Sequence, residues 1–293
     1  MVGKRTLGEK AFDVFNYIFL FALMLVIFYP CYYIVVASVS DPVQIYESNS
    51  LLWHPKGFSL YSYSEVLQNA HIWRGYRNTI LYVVSGTFLS VFLTTTAAFA
   101  LTRKNMPGNT VILFMILFTM YFSGGLIPTY LVVRGLNLTD TPLALILPNA
   151  VVTYNLIITI SYFRSMPYSL EEAAKIDGAS YYMIFFKVML PLAMPVVAVI
   201  ALYYAVQLWN DYFNALIYLK KRTLYPLQLI LREILIQNNT ASMQSITSGD
   251  DAQAYAENVK YATIVVSTVP ILCFYPFVQK FFVKGVMIGA VKG

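Results

Sequence analysis

Six long apolar runs, at about 12–38, 78–101, 110–133, 143–163, 192–218 and 261–283, alternate with shorter polar connections along this 293-residue chain. A hydrocarbon core about 30 Å thick needs roughly 20 apolar residues in a helix. Each run therefore predicts a membrane-spanning helix, and residues 1–293 together predict one all-α transmembrane domain. The first run follows Lys4, Arg5 and Lys10, as the apolar stretch of a signal peptide would. It is about twice the length of such a stretch and more spans follow, so a retained anchor is the reading taken.

The connections divide by charge. Lys4, Arg5 and Lys10 precede the first run, Arg103 and Lys104 fill the second connection, Arg164, Lys175 and Lys187 the fourth, and Lys280, Lys284 and Lys292 the tail. The short third connection has only Arg134. Lys and Arg in short loops mark the cytoplasmic side, so both termini are expected there. Segment 39–76, with Trp53, Pro55 and Trp73, is expected to pack as an ordered outer loop, and the polar segment 237–260 to be an exposed outer loop.

Composition agrees: 58% of residues are apolar and 12% charged, against roughly 25% charged in a soluble domain. The net charge of +6 fits positive loops better than a nucleic-acid surface, because no polar basic face studded with aromatics carries it. Cys31 and Cys273 lie inside apolar runs and read as buried thiols rather than a bridge.

No catalytic constellation is present: there is no GxxxxGK[ST], no HExxH and no CxxC, and His54 and His71 sit in a loop. No catalytic residue and no metal site is assigned. Proline and glycine interrupt most spans, and Ser123-Gly124-Gly125 is the least ordinary break, because two mid-span glycines weaken a helix where a pathway needs irregular backbone.

The fourth connection, 164–191, reads RSMPYSLEEAAKIDGASYYMIFFKVMLP. Ser169 and Glu172 have capping-box spacing and predict a helix from Leu170. Gly178 suits its end, and Ser180 can cap a second helix running to the Pro191 boundary. The result is a helix–turn–helix elbow over 168–191, which by spacing alone is equally an ordinary interfacial hairpin. On the fifth span, Gln207, Trp209, Asn210, Asp211, Tyr212 and Asn214 crowd polar and aromatic groups together. A charge facing lipid costs about 2.5–3.5 kcal/mol, so Asp211 should face a cavity or a partner. Two readings stay open: a sugar-binding pathway, or an aromatic belt with Asp211 bonded to loop backbone. Tyr121, Asn149 and Asn155 are further pathway candidates, or simply helix–helix contacts.

The string Glu172-Ala173-Ala174, three residues, Gly178, nine residues, then Val188-Met189-Leu190-Pro191 resembles the EAA loop of bacterial ABC importer permeases, EAA-x3-G-x9-I-x-L-P, with Val188 in place of its Ile. FSGGLIPTYL at 122–131, MPYSLEEAAKIDGAS at 166–180, WNDYFNALIYL at 209–219 and FVKGVMIGAVKG at 282–293 look like the carbohydrate-uptake permeases of the maltose-type group, most of all its oligosaccharide and polysaccharide-fragment branch. The resemblance implies a type I ABC importer permease fold in the bacterial cell membrane. It also implies that Glu171, Glu172, Ala173, Ala174, Asp177, Gly178 and Ala179 belong to a coupling helix docking on a separate ATPase. Lys284, Gly285 and Lys292 would lie in a tail that touches the ATPase, or, on charge alone, in a membrane-hugging end. The implied partners are a second homologous permease, two ABC ATPase copies that hold ATP and Mg, and an extracytoplasmic solute-binding protein; this chain would hold no cofactor. A permease for a non-sugar solute is the nearest alternative. A secondary transporter would show related halves, and an intramembrane enzyme would show paired aspartates or a Ser/His pair. Neither pattern is visible.

Overall fold

A computed structural model describes residues 6–46, 51–103, 106–244, 254–255 and 257–273. Helices dominate these residues: α1 (Leu7–Ser38), α2 (Pro42–Tyr46), α3 (Tyr61–Gln68), α4 (Ala70–Leu101), α5 (Asn109–Tyr121), α6 (Leu126–Gly135), α7 (Leu143–Ile146), α8 (Thr153–Ser165), α9 (Ser169–Ile176), α10 (Tyr181–Met183), α11 (Leu190–Leu192), α12 (Met194–Trp209), α13 (Phe213–Tyr218) and α14 (Leu227–Gln244). A further helix covers 257–273. The residues fall into two compact units, one from the chain up to Asn69 with Glu233–Thr268, the other from Ala70–Arg232 with Val269 onward.

In the first unit, α1 begins with a capping box in which Thr6 Oγ1 accepts the Glu9 amide and Glu9 Oε2 accepts the Thr6 amide. Its central surface is apolar all round and exposed, as a helix solvated by hydrocarbon should be. Cys31 lies on that surface as an exposed free thiol, and Cys273, in the second unit, is also exposed and free, which corrects the expectation that both are buried. Apolar burial belongs to lipid or a partner at these positions, so a run's hydrophobicity does not place its thiol in a core. Asn258 is buried at 2% exposure. It donates to the carbonyls of Ala37 (3.0 Å) and Ser40 (3.3 Å) and accepts from Ser62 Oγ (2.5 Å). The expectation of an exposed loop over 237–260 is corrected where the residues are described: α14 runs to Gln244, and Asn258 is a buried staple for the end of α1, its polar side chain bonded to backbone rather than to water.

In the second unit, α4 packs along α12 and α8. Gly86, Ser90, Thr94 and Ala98 recur every four residues and are all buried, which makes the small-residue stripe that lets two helix backbones approach closely. A Cβ on Gly86 would lie 2.6 Å from Leu208 Cδ1. Thr94 Oγ1 lies 2.7 Å from the Tyr204 hydroxyl, which also accepts the Val152 amide at 3.0 Å. One phenol thereby bonds α4 and serves the start of α8, whose first turn has no side-chain cap of its own. The opposite end of α4 holds the segment after α13. Asn78 Nδ2 donates to the carbonyls of Thr223 (2.9 Å) and Tyr225 (3.0 Å), Tyr82 Oη donates to Leu224 O (2.8 Å), and Thr79 Oγ1 accepts the Leu227 amide (2.8 Å). Asp140 Oδ1 accepts the Lys220 and Lys221 amides, which hold its carboxyl below the usual range.

Among the described residues, Gly8–Ser38 and Ala70–Leu101 are long and apolar enough to cross a membrane unbroken. The run at 110–133 forms two helices, α5 and α6, bent by 119° at Ser123-Gly124-Gly125, the break its two glycines mark in the sequence. Gly125 there has φ +85° and ψ −179°, a backbone open to glycine alone. The expected span at 143–163 is broken between α7 and α8 around Pro148, and that at 192–218 is broken between α12 and α13 at Asn210-Asp211. The run at 261–283 is helical to 273, and its remainder lies outside the described residues.

The α4 clamp gives a stability test. A Cβ on Gly75 would meet Ile230 Cδ1 at 2.7 Å and Leu227 Cα at 3.0 Å, and overpacking costs about 1–3 kcal/mol. Asn78→Leu leaves two carbonyls without a donor, at a cost of about 1 kcal/mol or more. Gly75→Val and Asn78→Leu should each lower the thermal midpoint of the detergent-solubilised protein by several degrees. Gly8→Ala, which meets nothing within 4 Å, should leave it unchanged.

Candidate functional site

The elbow is built by two turns of backbone chemistry. The first helix, α9, starts at Ser169 with Tyr168 already helical at φ −62° and ψ −27°, and has no side-chain cap bond. Glu172 and Ser169 therefore do not form the expected capping box. The amides of Glu171 and Glu172 bond instead to Tyr168 O at 3.0 and 3.1 Å, which places Ser169 inside the first turn rather than before it. Glu172, Ala173, Asp177 and Gly178 are exposed, while Ala174 and Ala179 pack partly against the core.

The end of α9 follows the sequence expectation. Gly178 has φ +78°; its amide bonds Lys175 O at 3.0 Å and the Ala179 amide reaches back to Ala174 O at 2.9 Å, the pair of bonds that closes a Schellman turn. Ser180 then caps α10 by accepting the Met183 amide at 3.4 Å. From Ile184 to Met189 the helix widens to π geometry, with the Leu190 amide bonded to Phe185 O. Pro191 has no amide to donate to Lys187 O, so the ladder shifts register just before it. The chain turns by 81° before α12.

The inner side of the elbow is anchored by Glu171, 5% exposed, a carboxylate the sequence had grouped with its exposed neighbours. Its Oε2 accepts from Arg103 Nη1 and its Oε1 pairs with Lys175 Nζ at 2.8 Å. Burial by itself pushes this carboxyl up. The hydrogen bond from Lys175, with the charge and hydrogen bond of Arg103, outweighs burial and holds it below the usual carboxylate range. The stabilisation is therefore fully present above the ordinary glutamate pKa and is lost as pH falls through the lowered value. Arg103 read in sequence only as a topological charge; that it pairs with a residue 68 positions away had no local signal. The elbow's outer tip is left apolar and unpacked, with Ile176 86% and Tyr182 81% exposed.

The second group of candidates sits at the α12–α13 break. Asn210 Nδ2 bonds its own helix at Val206 O (2.9 Å). Asp211 caps α13, its Oδ1 accepting the Asn214 amide (3.1 Å) and its Oδ2 the Asn214 side chain (2.9 Å). Tyr212 is exposed, with the Arg232 guanidinium 5.8 Å from its ring. Trp209 is half-buried beside Tyr76 (ring centroids 6.5 Å), its Nε1 is buried with no hydrogen-bond partner among the described residues, and it borders an apolar cavity of about 230 Å³ shared with Val83, Leu202 and Ile271. Tyr121 stands fully exposed at the end of α5, Asn149 lies half-buried between α7 and α8, and Asn155 is buried within α8. Those three are not part of the hydrogen-bonded group at 209–214. Lys284, Gly285 and Lys292 lie outside the described residues. Among the described residues, no three His, Cys, Asp or Glu side chains are placed to hold a metal ion.

Comparison with known proteins bears on the whole of this arrangement. Residues 72–288 match the family described as "Binding-protein-dependent transport system inner membrane component". Protein LplC of Bacillus subtilis (strain 168) is 40% identical over 99% of this chain and 97% of its own length. The polygalacturonan/rhamnogalacturonan transport system permease protein YtcP of the same organism is 39% identical over 97% of this chain and 99% of its own length. A chain in the crystal structure of a bacterial ABC transporter involved in the import of the acidic polysaccharide alginate superposes with a TM-score of 0.87 at 33% identity, covering 96% of this chain and 100% of that one. The broken helices and the elbow thus sit on a known transport fold, and the chain belongs to the binding-protein-dependent transport system inner membrane component family as an ABC importer permease.

Proposed function

We propose that this chain is a transmembrane subunit of an ATP-driven importer that carries a carbohydrate, of oligosaccharide size, into the cytoplasm by alternating access. The observation that carries the reading is the elbow: its inner face is ion-paired and packed, while its tip leaves Ile176 and Tyr182 exposed. Such a tip suits a groove on a separate ATPase, where Glu172, Ala173, Asp177 and Gly178 would lie at the contact. Two ATPase copies would hold ATP and Mg, a second permease would complete the pathway, and a solute-binding protein would deliver substrate from outside. Both termini would face the cytoplasm, with the tail around Lys284, Gly285 and Lys292 reaching the ATPase. The carbohydrate assignment is supported by the names of the relatives and by the Trp209–Asn214 group. A sugar ring stacks on an indole face. Asn210, Asp211 and Asn214 are bonded locally, so Trp209 and Tyr212 carry more of the expected contact.

Reconstituted with its partners, the chain should support ATP hydrolysis stimulated by a sugar-loaded binding protein. Sugar uptake into liposomes holding this chain alone would overturn the importer reading. Trp209→Ala should reduce uptake about tenfold, the loss of roughly 1.4 kcal/mol of contact, with assembly intact; a matching loss of assembled complex would return Trp209 to an interfacial belt.

The elbow has its own test. A Cβ at Gly178 meets open space but a left-handed backbone, a strain of about 1–2 kcal/mol that misdirects the second helix. Gly178→Val and Glu172→Lys should leave insertion intact while lowering ATPase co-purification or sugar uptake per ATP. Wild-type values of both quantities in both variants would return the elbow to an ordinary hairpin.

A further inference from the structure

The ion network at Glu171 has an asymmetry that separates its two cations. Lys175 is one turn along the same helix, so its pairing neutralises Glu171 without tying the elbow to anything else. Arg103 follows the end of α4, and its bond to Glu171 joins two elements distant in sequence. The guanidinium is fixed on its own side by Nε donating to Phe99 O (3.1 Å), by Nη2 donating to Thr102 Oγ1 (3.0 Å), and by lying 4.2 Å from the Phe99 ring centroid. The Phe99 ring in turn meets Phe185 on the elbow's second arm at 5.1 Å. A guanidinium held this way has no free rotamer, and a planar fork passes orientation to a carboxylate as an ammonium cannot.

From that junction α4 runs unbroken for 32 residues. Thr94 is bonded to Tyr204, Gly86 is seated on Leu208, and Tyr76 lies beside Trp209. Its far end grips 223–227 through Asn78, Thr79 and Tyr82. We propose that Arg103 is a positioning residue for transport. Through Glu171 it makes α4 and the elbow one lever, so that displacement of the docking helix is delivered to the α12–α13 break at Trp209–Asn214. The assignment rests on the elbow being the ATPase-docking element.

The experiment uses the complete reconstituted importer and two variants of this chain, Arg103→Leu and Arg103→Lys, beside wild type. ATPase co-purification, ATP hydrolysis and sugar uptake per ATP are read for each. In Arg103→Leu, Lys175 still neutralises Glu171, so the ATPase stays bound while uptake per ATP falls about tenfold, the size of an ordinary coupling between sites. Arg103→Lys, which keeps the charge without the fork, stays assembled and falls between it and wild type. Wild-type uptake per ATP in Arg103→Leu overturns the proposal. So does loss of assembly in both Arg103→Leu and Arg103→Lys, which makes the bridge a folding contact. Gly178→Val measured alongside separates the two ideas: an effect there with none at Arg103 removes only the lever, whereas no effect at Gly178 or Glu172 removes the docking assignment itself.

Discussion

A backbone amide or carbonyl inside a bilayer has no water to turn to, and this chain breaks its apolar runs repeatedly. Every break it makes has to be served from within the protein. At Ser123-Gly124-Gly125 the Ser123 hydroxyl accepts the Gly125 amide and the Thr129 hydroxyl donates to Gly125 O. At the start of α8 the Tyr204 hydroxyl takes the Val152 amide. At the α12–α13 break Asn210 reaches back to Val206 O and Asp211 takes the Asn214 amide. Irregular backbone is tolerable in hydrocarbon only on these terms, and it is tolerable where a transport pathway needs it.

The same demand explains the composition of α4. It is apolar enough to cross a membrane, yet from Gly75 to Ala98 its buried residues are Gly, Ser, Thr and Ala with Tyr82, and larger apolar side chains, Ile72, Phe99 and Leu101, are buried only toward its ends. Large apolar side chains would have filled space against α12 but could not have bonded Tyr204 or the 223–227 segment. Between apolar helices surrounded by lipid, close backbone approach and hydrogen bonding replace the hydrophobic effect as the source of specificity.

At the elbow the two adjacent glutamates divide the work. Glu171 points inward, where burial would make it costly without Arg103 and Lys175. Glu172 points outward, free of the capping bond that its spacing suggests. An element that must both dock on another subunit and move this one needs one rigid face and one exposed face. Successive residues of a helix point about 100° apart, so adjacent glutamates supply one side chain to each.

By itself the sequence determined that the chain is helical, where the long apolar runs lie, and that an elbow turns at Gly178 and restarts at Ser180. These are local matters of hydropathy and backbone geometry, read from residues within one or two turns of each other. Local pattern misplaced the start of α9, because the capping box at Ser169 and Glu172 competes with helical backbone already formed at Tyr168. It passed over the Thr6–Glu9 box that the structure does form. It marked the Ser123-Gly124-Gly125 break inside 110–133 but drew 143–163 and 192–218 as whole spans, because hydropathy sums over a break that costs only a few residues. What only the tertiary structure decided are the pairings that span the chain: Arg103 with Glu171, Thr94 with Tyr204, Asn78 with Thr223 and Tyr225, and Asn258 with Ala37. Each is a polar side chain meeting a backbone carbonyl, a hydroxyl or a charge many residues away, and the choice among such partners is made by how the helices pack, which no local periodicity encodes.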